Sequence, residues 1–157
     1  MSVGTRTIVL VAAMFSVSSG LLAETDPLMG TWKLNVSKSK FGGRPSPGEL
    51  TRKFEPLPNG IKIIRELVDA NGKPTVGEWA LQFDGKDYPV PGDRRVDTLS
   101  LKRLDLYTVE AIAKKDGKVA NTMRWDISKD GKTYTWTSKR VSPPEEAGTT
   151  VRVYDKQ

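Results

Sequence analysis

Short runs of alternating apolar and polar residues recur along this chain, and turn dipeptides separate them at near-regular intervals. Asn-Gly or Asp-Gly stands at Asn59-Gly60, Asn71-Gly72, Asp84-Gly85, Asp116-Gly117 and Asp130-Gly131. Four of the five continue with lysine, at Lys73, Lys86, Lys118 and Lys132. Such pairs tolerate the positive φ of tight turns, so each predicts a reversal between adjacent strands. Gly92-Asp93 and Asp105-Leu106-Tyr107 are weaker signals of the same kind. The intervening runs are rich in Thr, Val, Ile, Tyr and Trp. They predict strands near 30–36, 49–55, 61–68, 75–83, 86–90, 96–103, 107–114, 118–128, 132–141 and 149–155. In 118–128, Val119, Met123, Trp125 and Ile127 share one face, and Thr122, Arg124, Asp126 and Ser128 share the other. In 61–68, Ile61, Ile63 and Leu67 oppose Lys62 and Glu66, with Ile64 and Val68 blurring the alternation. No helical period of useful length follows residue 23.

About ten consecutive antiparallel strands must deal with their unpaired edges, and closing into an up-and-down β-barrel does so most simply. A barrel of eight to ten strands has room inside for one small molecule. A two-sheet sandwich needs longer crossing connections, and only 37–48 and 142–148 are long here. The expected fold is all-β: an antiparallel up-and-down barrel of about 8–10 strands.

The first residues do not fit that pattern. Arg6 and the α-amine precede the apolar run Ile8–Phe15, and small residues follow up to Ala23 before the first acid, Glu24. This is the layout of a secretory signal peptide, and the run is too short to span a bilayer. The expected division is a removed signal peptide over 1–23 and a barrel domain over 24–157. Cleavage after Gly20 is the second choice. The protein is then exported, to a periplasm or to the medium, with no membrane segment left after processing. Removing 1–23 takes one arginine and no acid from a net charge of +6 over 157 residues.

Composition narrows the chemistry. There is no Cys and no His. That excludes disulfides, thiolate nucleophiles, Ser-His and Cys-His pairs and the commonest metal ligands. Glu66, Glu78 and Glu110 lie in strands, but nothing in their spacing brings two together for acid–base work. No catalytic residue, metal site or cofactor is expected, and the protein is read as not an enzyme. Basicity raises the question of nucleic acid, yet the lysines sit singly at hairpin tips, where charge discourages edge pairing. With no dense basic run and no RNA-binding signature, no nucleic-acid partner is expected. Asn35-Val36-Ser37 is a glycosylation acceptor by pattern only. Nothing in the sequence speaks to oligomeric state.

Gly30-Thr31-Trp32-Lys33-Leu34, opening the first strand, resembles the Gly-x-Trp signature of the lipocalin and fatty-acid-binding-protein (calycin) superfamily. Val151-Arg152-Val153-Tyr154-Asp155-Lys156 is similar to the closing Arg-x-Tyr strand of fatty-acid-binding proteins. Lys115-Asp116-Gly117, Met123-Arg124-Trp125 and Asp130-Gly131-Lys132 resemble that family's late strands. The likeness departs at 37–48, where twelve residues rich in Gly and Pro cannot build the family's helical lid. It implies a small exported lipocalin-like domain that binds or carries a small hydrophobic or amphipathic molecule. The alternative is a filled barrel acting through its surface in the cell envelope.

The resemblance also implies site residues. Trp32 would plug the closed end of the barrel, a structural role. Arg124, Arg152 and Tyr154 would form a ligand-binding set for an anion. Three readings of Arg152 stay open: lying across Trp32, pointing inward beside Tyr154, or facing water. Arg124 shares its face with Asp126, so either that polar face lines a wet cavity or it is the barrel exterior. Arg65 and Arg140 raise the same question, and convergence of two or more of these arginines would imply an acidic ligand. Trp79, Trp125, Trp136, Tyr134 and Tyr88 either line a cavity or pack as strand formers. Intact-mass measurement of the protein recovered from its source is expected to show a chain lacking residues 1–23; a full-length, membrane-extracted species would contradict this.

Overall fold

A computed structural model describes residues 26–69, 71–141 and 148–157. The expected signal peptide over 1–23 lies outside the described residues. Ten strands follow one another: β1 (Gly30–Lys40), β2 (Glu49–Leu57), β3 (Gly60–Val68), β4 (Pro74–Gln82), β5 (Tyr88–Pro89), β6 (Thr98–Asp105), β7 (Thr108–Lys115), β8 (Lys118–Ile127), β9 (Thr133–Arg140) and β10 (Thr150–Lys156). Each overlaps one of the ten runs read from the sequence, and no helix occurs among the described residues. They form one antiparallel sheet in the order β4-β3-β2-β1-β10-β9-β8-β7-β6-β5, with the first and last strands paired at its centre. The sheet curls into a nearly closed barrel.

Two details differ from the sequence reading. Strand β1 runs on to Lys40, through residues read as loop. A register shift between Asn35 and Lys40 interrupts its ladder with β10, and Ser39 Oγ accepts the Val153 N–H at 2.9 Å where a backbone partner is missing. The barrel is also not hydrogen-bonded all the way round. Asp84-Gly85 does not join two paired strands; it carries the chain from one edge of the sheet, β4, to the other, β5. Prolines explain the break, because Pro89 and Pro91 cannot donate to a ladder and leave β5 only two residues long. Tertiary contacts bridge the gap instead. Gly85 N donates to Leu101 O at 2.8 Å, Trp79 Nε1 donates to Pro91 O at 3.1 Å, and Arg65 Nη1 donates to Asp93 Oδ2 at 2.9 Å. Gly77 is needed here, since a Cβ on it would lie 2.6 Å from Trp79 Cζ2 and push the indole out of its place.

The core fills one end of the barrel. Trp32, Phe54, Trp125, Tyr134 and Tyr154 are all buried there. Tyr134 is the hub, with ring centroids 5.7 Å from Trp32, 5.6 Å from Phe54, 6.2 Å from Trp125 and 5.0 Å from Tyr154. The segment before β1 tucks beneath them. Trp32 Nε1 donates to Leu28 O at 2.8 Å, and Arg103 ties to Asp26 at 2.7 Å. Lys156 lies 5.0 Å from the Trp32 ring centroid and donates to Pro27 O at 3.2 Å. Trp32 is thus wholly buried at this end, and a lysine, not Arg152, is the cation upon it. Removing a fully buried indole leaves a cavity as well as lost transfer energy. Trp32→Ala is expected to destabilise by about 3–5 kcal/mol in urea unfolding.

Candidate functional site

Above the aromatic floor, the other end of the barrel opens into a cavity of about 490 Å³. Strand alternation turns every second side chain into the barrel. Leu50, Arg52 and Phe54 of β2 face inward together, as do Ile63 and Arg65 of β3, and Thr150, Arg152 and Tyr154 of β10. One wall is apolar, made by Ile63, Val90, Val96, Leu99, Ala113 and Met123 with the rings of Trp79 and Trp125. The other is cationic. Arg52, Arg65 and Arg152 lie inside, and Arg44, Arg95 and Arg140 stand around the mouth with Lys115 and Lys118. Only two carboxylates, Asp93 and Asp116, line the same space among the described residues.

The inner arginines are held in different ways. Arg65 lies 4.8 Å from the Trp79 ring centroid and pairs with Asp93, so it acts as a strut between β3 and the β5–β6 loop. Burial lowers its pKa, and the bond to Asp93 opposes that. Arg52 donates to the Tyr134 hydroxyl at 3.3 Å and lies 5.5 Å from the Trp136 ring and 5.6 Å from that of Tyr154. Arg152 stacks on the same Trp136 ring at 4.8 Å. Burial lowers the Arg152 pKa, and the neighbouring charges of Arg52 and Arg95 lower it further. Neither Arg52 nor Arg152 meets a carboxylate among the described residues. The Nε atoms of both, the Tyr154 hydroxyl and Trp125 Nε1 are buried without a hydrogen-bond partner. Burial pushes the Tyr134 hydroxyl well above the usual phenol range, so it stays neutral beside Arg52.

The residues singled out from the sequence separate accordingly. Arg152, Arg65 and Arg140 line one cavity. Arg124 does not, and its assignment to the ligand set is corrected: it is exposed on the outer face and pairs with Asp126 at 2.9 Å. The cause is parity, because Arg124 alternates with Met123 and Trp125, which point in. Tyr154 also falls short of the cavity wall. It lies beneath, stacked on Tyr134, with its hydroxyl turned toward the two arginines above. Glu66, Glu78 and Glu110 are exposed. Arg52 escaped the sequence reading, although the signal was present: it stands two residues from Leu50 and two from Phe54, on the apolar face of its strand. Among the described residues, no group of three or more acidic, His or Cys side chains is placed to hold a metal ion.

No family model matches the chain, and no curated protein does. Solved structures do. A fatty acid binding protein of Schistosoma mansoni in complex with arachidonic acid is similar at a TM-score of 0.57 and 12% identity, over 83% of this chain and 96% of that one. As-p18, an extracellular fatty acid binding protein, is similar at 0.55 and 18% identity, over 84% and 97%. The zebrafish ileal bile-acid-binding protein complexed with cholic acid is similar at 0.52 and 13% identity, over 83% and 99%. The chain thus shares the barrel fold of these proteins. At these identities the likeness establishes the fold.

Asp93 gives this site a pH signature. Burial opposes its ionisation, but hydrogen bonds from the Arg95 backbone and side chain and from Arg65 hold its carboxyl down at about 2. A carboxyl whose pKa is lowered on folding contributes stability above its unfolded value of about 3.9, and that contribution is lost as pH falls through the folded value. The difference corresponds to about 2 kcal/mol. Urea unfolding is expected to show Asp93→Asn less stable than wild type by roughly that amount at pH 7. The gap is expected to narrow below pH 4 and to close near pH 2.

Proposed function

We propose that this protein is a non-enzymatic binder of an acidic amphipathic molecule, held inside the barrel, and that it acts after export from the cytoplasm. One observation carries the reading. Arg52 and Arg152 project into a cavity of about 490 Å³ whose lining also holds many apolar side chains, and neither has an anionic partner among the described residues. A buried charge is costly unless paired, so an anion entering this space gains two charge-assisted contacts and relieves that cost. An apolar tail would lie along Ile63, Leu99, Met123 and Trp125, as in pockets of this size that combine a few polar groups with greasy walls. A barrel packed solid, the other reading from the sequence, leaves this volume unexplained.

The similar structures lend support through the molecules they hold: arachidonic acid in one and cholic acid in another. Both compounds are acidic amphipaths. Export rests on the signal-peptide pattern over 1–23, and an extracellular protein stands among the structural neighbours.

The test is native mass spectrometry of protein purified from its own source, joined to displacement of a fluorescent fatty-acid probe by decanoate and by decanol. Decanoate is expected to displace the probe at lower concentration than decanol. Arg152→Ala is expected to weaken decanoate by about tenfold, equal to about 1.4 kcal/mol for one charge-assisted contact, and to leave decanol unchanged. A protein that comes without a co-purifying lipid and binds neither compound would overturn the reading.

A further inference from the structure

The charges inside the barrel exceed what a single carboxylate can satisfy. Arg52 reaches the cavity from β2 and Arg152 from β10, on either side of β1. Both guanidinium groups address one indole, at 5.5 and 4.8 Å from the Trp136 centroid. Of the two acids in the cavity lining among the described residues, Asp93 is already occupied, accepting hydrogen bonds from Arg65 and Arg95. Around this point Arg52 Nε, Arg152 Nε and the Trp125 indole N–H, all donors, have no hydrogen-bond partner among the described residues, and the Tyr154 hydroxyl faces both arginines. At the mouth, Arg140 and Arg95 lower the Arg44 pKa in addition to its burial, so further cations gather near the same opening.

A carboxylate can accept from both guanidinium groups, but it carries one negative charge and offsets only one of the two positive ones. Its binding would leave one positive charge in this space without a counter-charge, at a continuing cost. A phosphate monoester carries up to two charges and three acceptor oxygens. It can receive both forks from two directions and still accept a hydroxyl or indole N–H. We infer that the head group held between Arg52 and Arg152 is a dianion of the phosphate monoester class. This inference rests on the acidic-amphipath reading above and narrows it.

The test compares four ten-carbon compounds by isothermal titration at pH 8: decyl phosphate, decyl sulfate, decanoate and decanol. Decyl phosphate is expected to bind at least tenfold tighter than decyl sulfate and decanoate. That advantage should shrink when the titration is repeated at pH 5, where the phosphate is a monoanion, while the affinity for sulfate holds. Arg152→Gln is expected to bring the phosphate-to-sulfate ratio close to one. Arg152→Lys, which keeps the charge and removes the fork, should give an intermediate ratio and guards against a loss of folding in the first variant. Inorganic phosphate separates the two sources of such a dianion. Competition at concentrations comparable to decyl phosphate would support the charge site with a soluble occupant and overturn the amphipathic one. Equal binding of decyl phosphate and decanoate would overturn the dianion inference and leave the acidic-amphipath reading standing. Absence of binding by all three anions would overturn both.

Discussion

Two guanidinium groups inside a β-barrel, with no acid paired to them among the described residues, set the terms for the rest of this structure. Arginine stays protonated under any ordinary condition, so Arg52 and Arg152 cannot escape burial by losing charge as a lysine can. The fold surrounds them with π-faces and one neutral phenol. Trp136 serves both, Tyr154 lies against Arg52, and the Tyr134 hydroxyl accepts a bond from it. Cation–π contacts are worth about 0.5–2 kcal/mol each, while the effective desolvation penalty is several kcal/mol per ion. The aromatic faces make the arrangement tolerable and do not make it favourable.

That arrangement needs a rigid base, and the closed end supplies one. Trp32, Phe54, Trp125 and Tyr154 all pack on Tyr134 or next to it, in edge and stacked geometries of the kind aromatic pairs prefer. The residues before β1 then cover the floor from below through Leu28, Asp26 and Pro27. Stability is concentrated at one end so that the other can hold unpaired charge and open volume. Arg65 belongs to neither end. Paired with Asp93 and stacked on Trp79, it stitches β3 to a loop across the one place where the sheet does not close. An arginine lining the cavity is therefore not automatically a ligand contact. The presence or absence of an internal carboxylate divides the two roles.

Much of this was legible in the sequence. The turn dipeptides and β-branched runs located all ten strands, because a meander of short hairpins writes its period directly into the chain. The parity rule placed Arg124 opposite Met123 and Trp125, and the outward position of that arginine follows from it. Likeness of motif had suggested the reverse, so local alternation was the better guide. The three readings left open for Arg152 could not be separated from one strand, since inward orientation fixes the face and not the neighbour. Lys156 took the position over Trp32, and Trp136 received Arg152. The missing ladder between β4 and β5 was not legible either. Asp84-Gly85 looks like the hairpin turns around it, and only the strand order shows that it joins two free edges.

The open edge has a physical consequence for how a molecule reaches the cavity. In a fully bonded barrel every wall is a continuous ladder, and only the mouth gives access. Here the stretch between β4 and the β5–β6 loop is held by side chains, chiefly the Trp79 indole on Pro91 and the Arg65–Asp93 pair. A handful of such contacts opens at lower free energy than a strand ladder, because local opening scales with the bonds and buried surface given up. The same segment carries Val90, Val96, Asp93 and Arg95 into the cavity lining. Displacing it would widen the cavity on its apolar side while Arg52 and Arg152, anchored on central strands, stay in place. The same segment carries Arg95, whose charge lowers the Arg152 pKa, so motion there reaches the charged lining of the cavity as well as the apolar one.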